Sequence, residues 1–198
     1  MDPVMNPIHK LGPLRLFYSR KDVPLPEVEA LPGTLLPEPA RWLLFHRHDM
    51  TSQLQTFHQD TIQVEVVQKE LRDTSLNREV ILRRQRDLIP VEYGAIQIYY
   101  SQLPPEARKM VLDCTKPLGA ILHECAVDFR SCPGCFFRLE SDEVMNQAFV
   151  LERMYFLYGR CNLLTYANGK ILANVVEILP PIEQMKELRS REEYGQSI

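Results

Sequence analysis

Two stretches, NREVILR at 77–83 and ILANVVEIL at 171–179, decide how this chain folds. Both read as β-strands, rich in branched apolar residues. Successive strand side chains point to opposite faces. In the first stretch Arg78 shares its face with Val80 and Leu82, while Glu79 and Arg83 take the other. In the second, Glu177 has the parity of Ile171, Ala173, Val175 and Leu179. One arginine and one glutamate are therefore aimed where the core should be. A buried ion costs several kcal/mol unless it is paired or hydrogen-bonded. Parity leaves two readings open: an internal salt bridge, or a closed cavity for a small polar anion.

Around these strands the rest of the chain reads as α+β. TIQVEVVQK at 61–69 and AIQIYYSQL at 95–103 are further strands, and AFVLERMYFLYGRCNLLTY at 148–166 is strongly β. Asn168-Gly169 is the clearest hairpin signal, joining that run to the strand carrying Glu177. Short helices are expected at 40–48, at 50–59 behind Asp49 as N-cap, at 104–114 behind a proline pair, and at 117–124. Residues 125–147 mix turn residues with aromatics and give no clear element. Residues 1–39 hold eight of the fifteen prolines and read as an extended arm with little helix of its own. That arm is too short and proline-rich for a DNA-binding helix-turn-helix. The tail 183–198 is polar. The expectation is a single, largely antiparallel β-sheet with short flanking helices.

Composition narrows the function. The 198 residues suffice for one ordinary domain, with 45% hydrophobic and 25% charged residues. A net charge of −3 without a basic stripe argues against nucleic acid as partner. No apolar run approaches a membrane span, and the N-terminus lacks the apolar core of a signal peptide. Five cysteines, an odd number, do not complete a disulfide framework. A cytoplasmic protein is expected.

Read in order, HDMT at 48–51, NREVIL at 77–82, TKPLGAIL at 115–122, LYGR at 157–160 and VVEILP at 175–180 resemble the successive blocks of the chorismate pyruvate-lyase family. The likeness covers about residues 40–182, between the arm at 1–39 and the tail at 183–198. It implies a chorismate-lyase-like fold with an enclosed cavity, and a carbon–oxygen lyase that converts chorismate to 4-hydroxybenzoate and pyruvate. Quinones or other phenolic products would lie downstream. No cofactor is required, and the partners implied are the small-molecule substrate and product. The family's product-binding positions fall on Met50, Arg78, Leu118 and Glu177, with Arg78 and Glu177 as the candidate catalytic pair. In the family, short helical segments act as flaps, and here the helix beginning at Met50 is one candidate. The same fold resembles the effector-binding domains of certain transcription regulators, so a non-catalytic module for a small aromatic acid is the alternative.

This sequence departs from the family at two places. The segment 123–148 is longer than the family pattern, and Tyr93, Gly94 and Ala95 stand where better-known members carry an arginine at the third position.

These residue types suit the chemistry. Loss of pyruvate aromatises the ring, so the protein need only hold the ring, assist proton removal and stabilise the departing enolpyruvate. Arg78 can grip a carboxylate through two parallel hydrogen bonds. The N–H groups of Met50 and Leu118, at helix starts, can serve as oxyanion donors. Glu177 in an apolar wall should be harder to ionise unless Arg78 offsets the effect, which makes it a hydrogen-bond partner for the ring hydroxyl or a proton carrier. His123, Cys125, Cys132 and Cys135 offer a weak rival as half of a zinc site. His46 and His48 read as solvated or capping groups, and Tyr155, Phe156 and Tyr158 as core and cavity wall.

Overall fold

The computed structural model describes residues 11–195. Seven strands form one antiparallel sheet in the order β1-β5-β6-β7-β4-β3-β2. In chain order they are β1 (Val28–Leu31), β2 (Ile62–Leu71), β3 (Leu76–Arg84), β4 (Pro90–Ile98), β5 (Arg130–Glu140), β6 (Phe156–Thr165) and β7 (Ile171–Ile178). Among the described residues, seven α-helices accompany them: α1 (Gly12–Arg20), α2 (Ala40–Leu44), α3 (Met50–His58), α4 (Pro105–Asp113), α5 (Leu118–Glu124), α6 (Glu143–Phe149) and α7 (Ile182–Gly195). The α+β expectation is met.

The sheet is covered on both faces. On one, α1 and α6 lay Leu14, Phe17, Met145 and Phe149 over Ile81, Tyr93, Val176 and Ile178. On the other lie two apolar clusters. The first joins α2, α3 and α7 through Leu43, Leu44, Leu54 and Met185. The second joins α4 and α5 through Ala107, Val111, Ile121 and Leu122. Between these two clusters the second face carries the charged residues.

Double coverage explains why Glu79, correctly placed on the face opposite Arg78, is nevertheless fully buried. It pairs with Lys21 and accepts a 2.6 Å hydrogen bond from the Tyr93 hydroxyl. Burial, together with neighbouring acidic groups, pushes the Tyr93 and Tyr18 hydroxyls far above their ordinary pKa.

Several local expectations need correction. The stretch read as an extended arm with little helix holds α1 and the edge strand β1; Met1–Lys10 lie outside the described residues. Pro13 sits in the first turn of α1, where a proline costs nothing, and Leu14, Phe17 and Tyr18 form its buried stripe. The helix expected at 40–48 stops at Leu44, and Trp42, read as available for burial, is left exposed. The strand expected from Ala95 begins five residues earlier at Pro90, a position where a first-residue proline is tolerated. The β run expected from Ala148 is still helical there. Asp142 caps α6 by accepting from Met145 N–H, and Val150, at φ 59°, ends it. Phe156, read as wall, is exposed beneath the Arg138 guanidinium.

Residues 125–147 contain β5, an eleven-residue strand. Its Cys132-Pro133-Gly134-Cys135 run lies at a register shift against β6, where a proline and a glycine fit without breaking the ladder.

If α1 is a core element, Phe17→Ala should destabilise the protein by about 3–5 kcal/mol. Urea unfolding measures it; a loss under about 0.5 kcal/mol, typical of exposed sites, would instead mark a dispensable arm.

Candidate functional site

Four adjacent strands deliver charge to the helix-lined gap between the two apolar clusters. Across the sheet, Arg78 is opposite Ile96, Gly94 is opposite both Val80 and Glu177, and Glu177 is opposite Arg160. Gly94 permits this packing: a Cβ there would lie 2.1 Å from the Val176 carbonyl oxygen.

Met50, Arg78, Leu118 and Glu177 all line one small cavity, and all four are buried. Its volume is about 60 Å³, close to the share of roughly two liquid waters. Met50 and Leu118 open α3 and α5, and their N–H groups make no hydrogen bond among the described residues. Val64, Val80, Leu82 and Ile96 supply apolar wall, and Glu92 of β4 joins them.

The charges pair differently from the expectation. Glu177 is matched by Arg160, not by Arg78. The Arg160 guanidinium hydrogen-bonds the Glu177 carboxylate through Nε and donates through Nη1 to the Leu44 carbonyl at 2.9 Å and the His46 carbonyl at 3.3 Å. Arg160 is wholly buried. The salt bridge that parity allowed therefore exists, but with a residue that parity did not single out.

Arg78 is left over. It is 1% exposed, and among the described residues no carboxylate lies within ion-pairing distance of it. Its one backbone contact is a marginal 3.5 Å donation to the Lys116 carbonyl, and its Nε has no partner. Burial pulls its pKa down, and the Cys114 thiol partly opposes this. Even so, a guanidinium stays charged in a protein. The result is a cation facing a cavity without a counter-ion.

Glu92 is the other buried charged residue at the cavity that strand parity did not single out. It is 4% exposed, and its Oε2 has no hydrogen-bond partner. Burial and the nearby Glu177 carboxylate push its pKa well up, with Arg160 pulling the other way. Burial beside a second carboxylate therefore favours its neutral, protonated form.

The helices over the cavity are tied together. Asp49 caps α3 by accepting from Ser52 N–H at 2.8 Å and also binds His123 Nε2 of α5 at 2.8 Å. Burial pushes the Asp49 pKa up, but His123 and Ser52 outweigh it and hold the carboxyl below its ordinary value. Gly119 lies so close that a Cβ would meet Asp49 Oδ1 at 2.4 Å. His123 is thus bound to Asp49 and is not part of a cysteine cluster. Among the described residues, no group of three or more His, Cys, Asp or Glu is placed to hold a metal.

A larger open groove, about 940 Å³, lies between the start of α1 and β5–β6, on the other face of the sheet. Asn77, Gln97 and Asn174 line it, and all three hydrogen-bond to other protein groups. It contains none of Met50, Arg78, Leu118 or Glu177 and no buried unmatched charge. The small cavity is the better candidate.

No family model matches this chain, and no curated protein matches it. Solved structures do. One described as a possible transcriptional regulator, YydK from Bacillus subtilis, superposes with a TM-score of 0.50 at 9% identity, covering 87% of this chain and 93% of that one. The effector domain of PhnF from Mycobacterium smegmatis gives 0.48 at 11% identity, over 67% of this chain and 88% of that one. The ligand-binding domain of a GntR-family regulator from Bordetella bronchiseptica gives 0.47 at 10% identity, over 60% and 85%. At such identities the likeness is one of fold: a chorismate-lyase-like sheet flanked by helices. No helix among the described residues is long and apolar enough to cross a membrane.

Histidine burial sets a pH dependence. His46 is lowered to about 4 by burial and by Arg160, and His58 to about 3 by burial and by Arg84 and Arg86. Both are neutral when folded at a pH where the unfolded chain, near 6.5, takes protons. Stability is therefore full above about pH 6.5 and is lost as pH falls towards 4. Urea midpoints between pH 7 and 4 should show this fall, and a His46→Gln/His58→Gln double variant should show a shallower one. Parallel curves would refute the assignment.

Proposed function

We propose that this chain is a closed-site binding module for a small aromatic carboxylic acid of the 4-hydroxybenzoate class. The observation that carries the reading is the buried Arg78, without a carboxylate partner, in a cavity whose wall is mostly apolar. A ligand carboxylate supplies the missing counter-ion through a charge-assisted, two-point contact. Met50 and Leu118 present the first N–H groups of their helices to the same space. Glu177, fixed by Arg160, is placed to accept from a ring hydroxyl. At about 60 Å³ the cavity is below the several hundred Å³ usual for ligand sites, so a ring enters only as α3 and α5 move outward.

A second reading, chorismate pyruvate-lyase, is favoured by one observation. The Glu177 carboxylate shares the cavity with Arg78, as the blocks resembling that family imply. Under this reading Arg78 holds the ring carboxylate and Glu177 handles a proton while enolpyruvate departs. Lyase action requires that the cavity also accept the second carboxylate of chorismate.

Calorimetry with 4-hydroxybenzoate tests the binding. Arg78→Ala should weaken it by roughly 2–5 kcal/mol, the cost of leaving a buried charge partner unmatched. Unchanged affinity would remove Arg78 from the site. Incubation of the wild-type protein with chorismate then separates the two readings. Binding of 4-hydroxybenzoate without release of pyruvate upholds the module, and stoichiometric 4-hydroxybenzoate and pyruvate would establish the lyase.

A further inference from the structure

The strand register gives the cavity two unlike ends. Arg78 marks one, opposite Ile96 of β4 and below the α4–α5 connection. Glu92 lies four residues back along β4 from Ile96, about 13 Å at roughly 3.3 Å per residue. Glu177, opposite Gly94, stands between them on the neighbouring strand, diagonal to Glu92 on the same face. One end therefore offers a bare cation, and the other a pair of carboxyl groups.

The Arg160 guanidinium does not make the second end cationic. Its Nε is committed to Glu177 and its Nη1 to backbone carbonyls, which leaves only Nη2 open. The groups facing Glu92 include Glu177 of β7 and Arg160 of β6. Around them stand Arg78 of β3, His46 after α2, held neutral by burial and by Arg160, and Asp49 at the start of α3, tied to His123. Arg160 and Glu177 cancel, and burial beside Glu177 favours the protonated form of Glu92. The positive charge without a carboxylate partner then lies at the Arg78 end.

Resting on the proposed aromatic-acid reading, we infer that Glu92 sets the specificity of this site. With its unmatched carboxyl beside Glu177, it makes the far end accept a neutral hydroxyl and reject a second carboxylate. Glu92 donates its proton to the hydroxyl oxygen of the ligand, and that hydroxyl donates to Glu177. The Glu92 carboxyl then has the partner it lacks. A dicarboxylate would place a second anion beside Glu177, where the one neighbouring cation, Arg160, is already paired with that carboxylate and offers only its open Nη2. The ligand class is a monocarboxylic ring acid with a hydroxyl opposite the carboxylate.

The test is a series of three ring acids of one shape, titrated into the full chain at pH 7: 4-hydroxybenzoate, benzoate and benzene-1,4-dicarboxylate. The first should bind about tenfold or more tighter than either of the others, as expected where buried polar groups are built to meet a hydroxyl. Glu92→Gln, which keeps a neutral donor, should preserve the preference for 4-hydroxybenzoate over benzoate. Glu92→Leu should shrink that preference to within about threefold. A dicarboxylate that binds as tightly as 4-hydroxybenzoate would overturn the inference and leave the aromatic-acid reading standing. So would an undiminished hydroxyl preference in Glu92→Leu. If none of the three acids binds, both fall. The wild-type series decides selectivity even where a variant does not fold.

Discussion

The ion pair between Arg160 and Glu177 is the constraint from which the site follows. It lies across β6 and β7 with both members buried, and Arg160 reaches on to the Leu44 carbonyl at 2.9 Å. One guanidinium thus fixes a cross-strand pair and holds the end of α2 to the sheet. Buried pairs are expensive to assemble, and most of their net worth depends on filling every remaining hydrogen-bonding position. Here one Nη2 remains open. Because Arg160 satisfies Glu177, Arg78 has nothing left to pair with. The closed charge pair and the bare cation are two consequences of one arrangement.

Much of this was legible in the strands. Parity alone placed Arg78 and Glu177 on the buried side, and the structure brings both to one cavity with Met50 and Leu118. It could not say which charge meets which, since cross-strand partners depend on strand order. Arg78 and Glu177 lie on strands separated by β4, whereas β6 and β7 are neighbours. Arg160 escaped notice because its parity is shared with Tyr158 and Asn162, which do not mark a core face. Glu92 lies before Ala95, where the sequence pattern opens this strand, although the strand begins at Pro90. A signal was present for both. Each is a lone charge in a long uncharged run, Arg160 within Met154–Tyr166 and Glu92 within Ile89–Pro105. A single ion in a strand with no other charge is poorly placed for solvent, whatever its parity.

The misread elements share a cause. Proline and glycine break structure locally, but tertiary packing decides where these elements form. Pro13 starts α1 and does not prevent it, because the N–H it lacks would have been unbonded in the first turn. Pro133 and Gly134 sit at a register shift between β5 and β6, where the ladder is already interrupted. The CPGC spacing that hinted at metal binding is therefore met by strand geometry. His123, its would-be companion, turns to Asp49. Glu79 illustrates the complementary limit: alternation predicts which face a residue takes, but not whether helices such as α1 will cover that face too.

That coverage bears on how a ligand could enter. The cavity has sheet beneath it and the starts of α3 and α5 beside it, and those two helices are joined by Asp49, which caps one and holds His123 of the other. The tight approach of Gly119 to Asp49 adds a steric contact to the polar one. Independent hinging of either helix would break the bond between Asp49 and His123. Moving both together keeps these contacts and gives up mainly apolar packing against Leu82, Ile96 and Leu164. Because His123 is more than half exposed and Asp49 is 7% exposed, the latch can be reached by solvent from one side only. Its strength rests on the buried carboxylate, whose alternative partners, the first N–H groups of α3, move with it. Paired opening of α3 and α5 is therefore the route that costs least in unmatched polar groups.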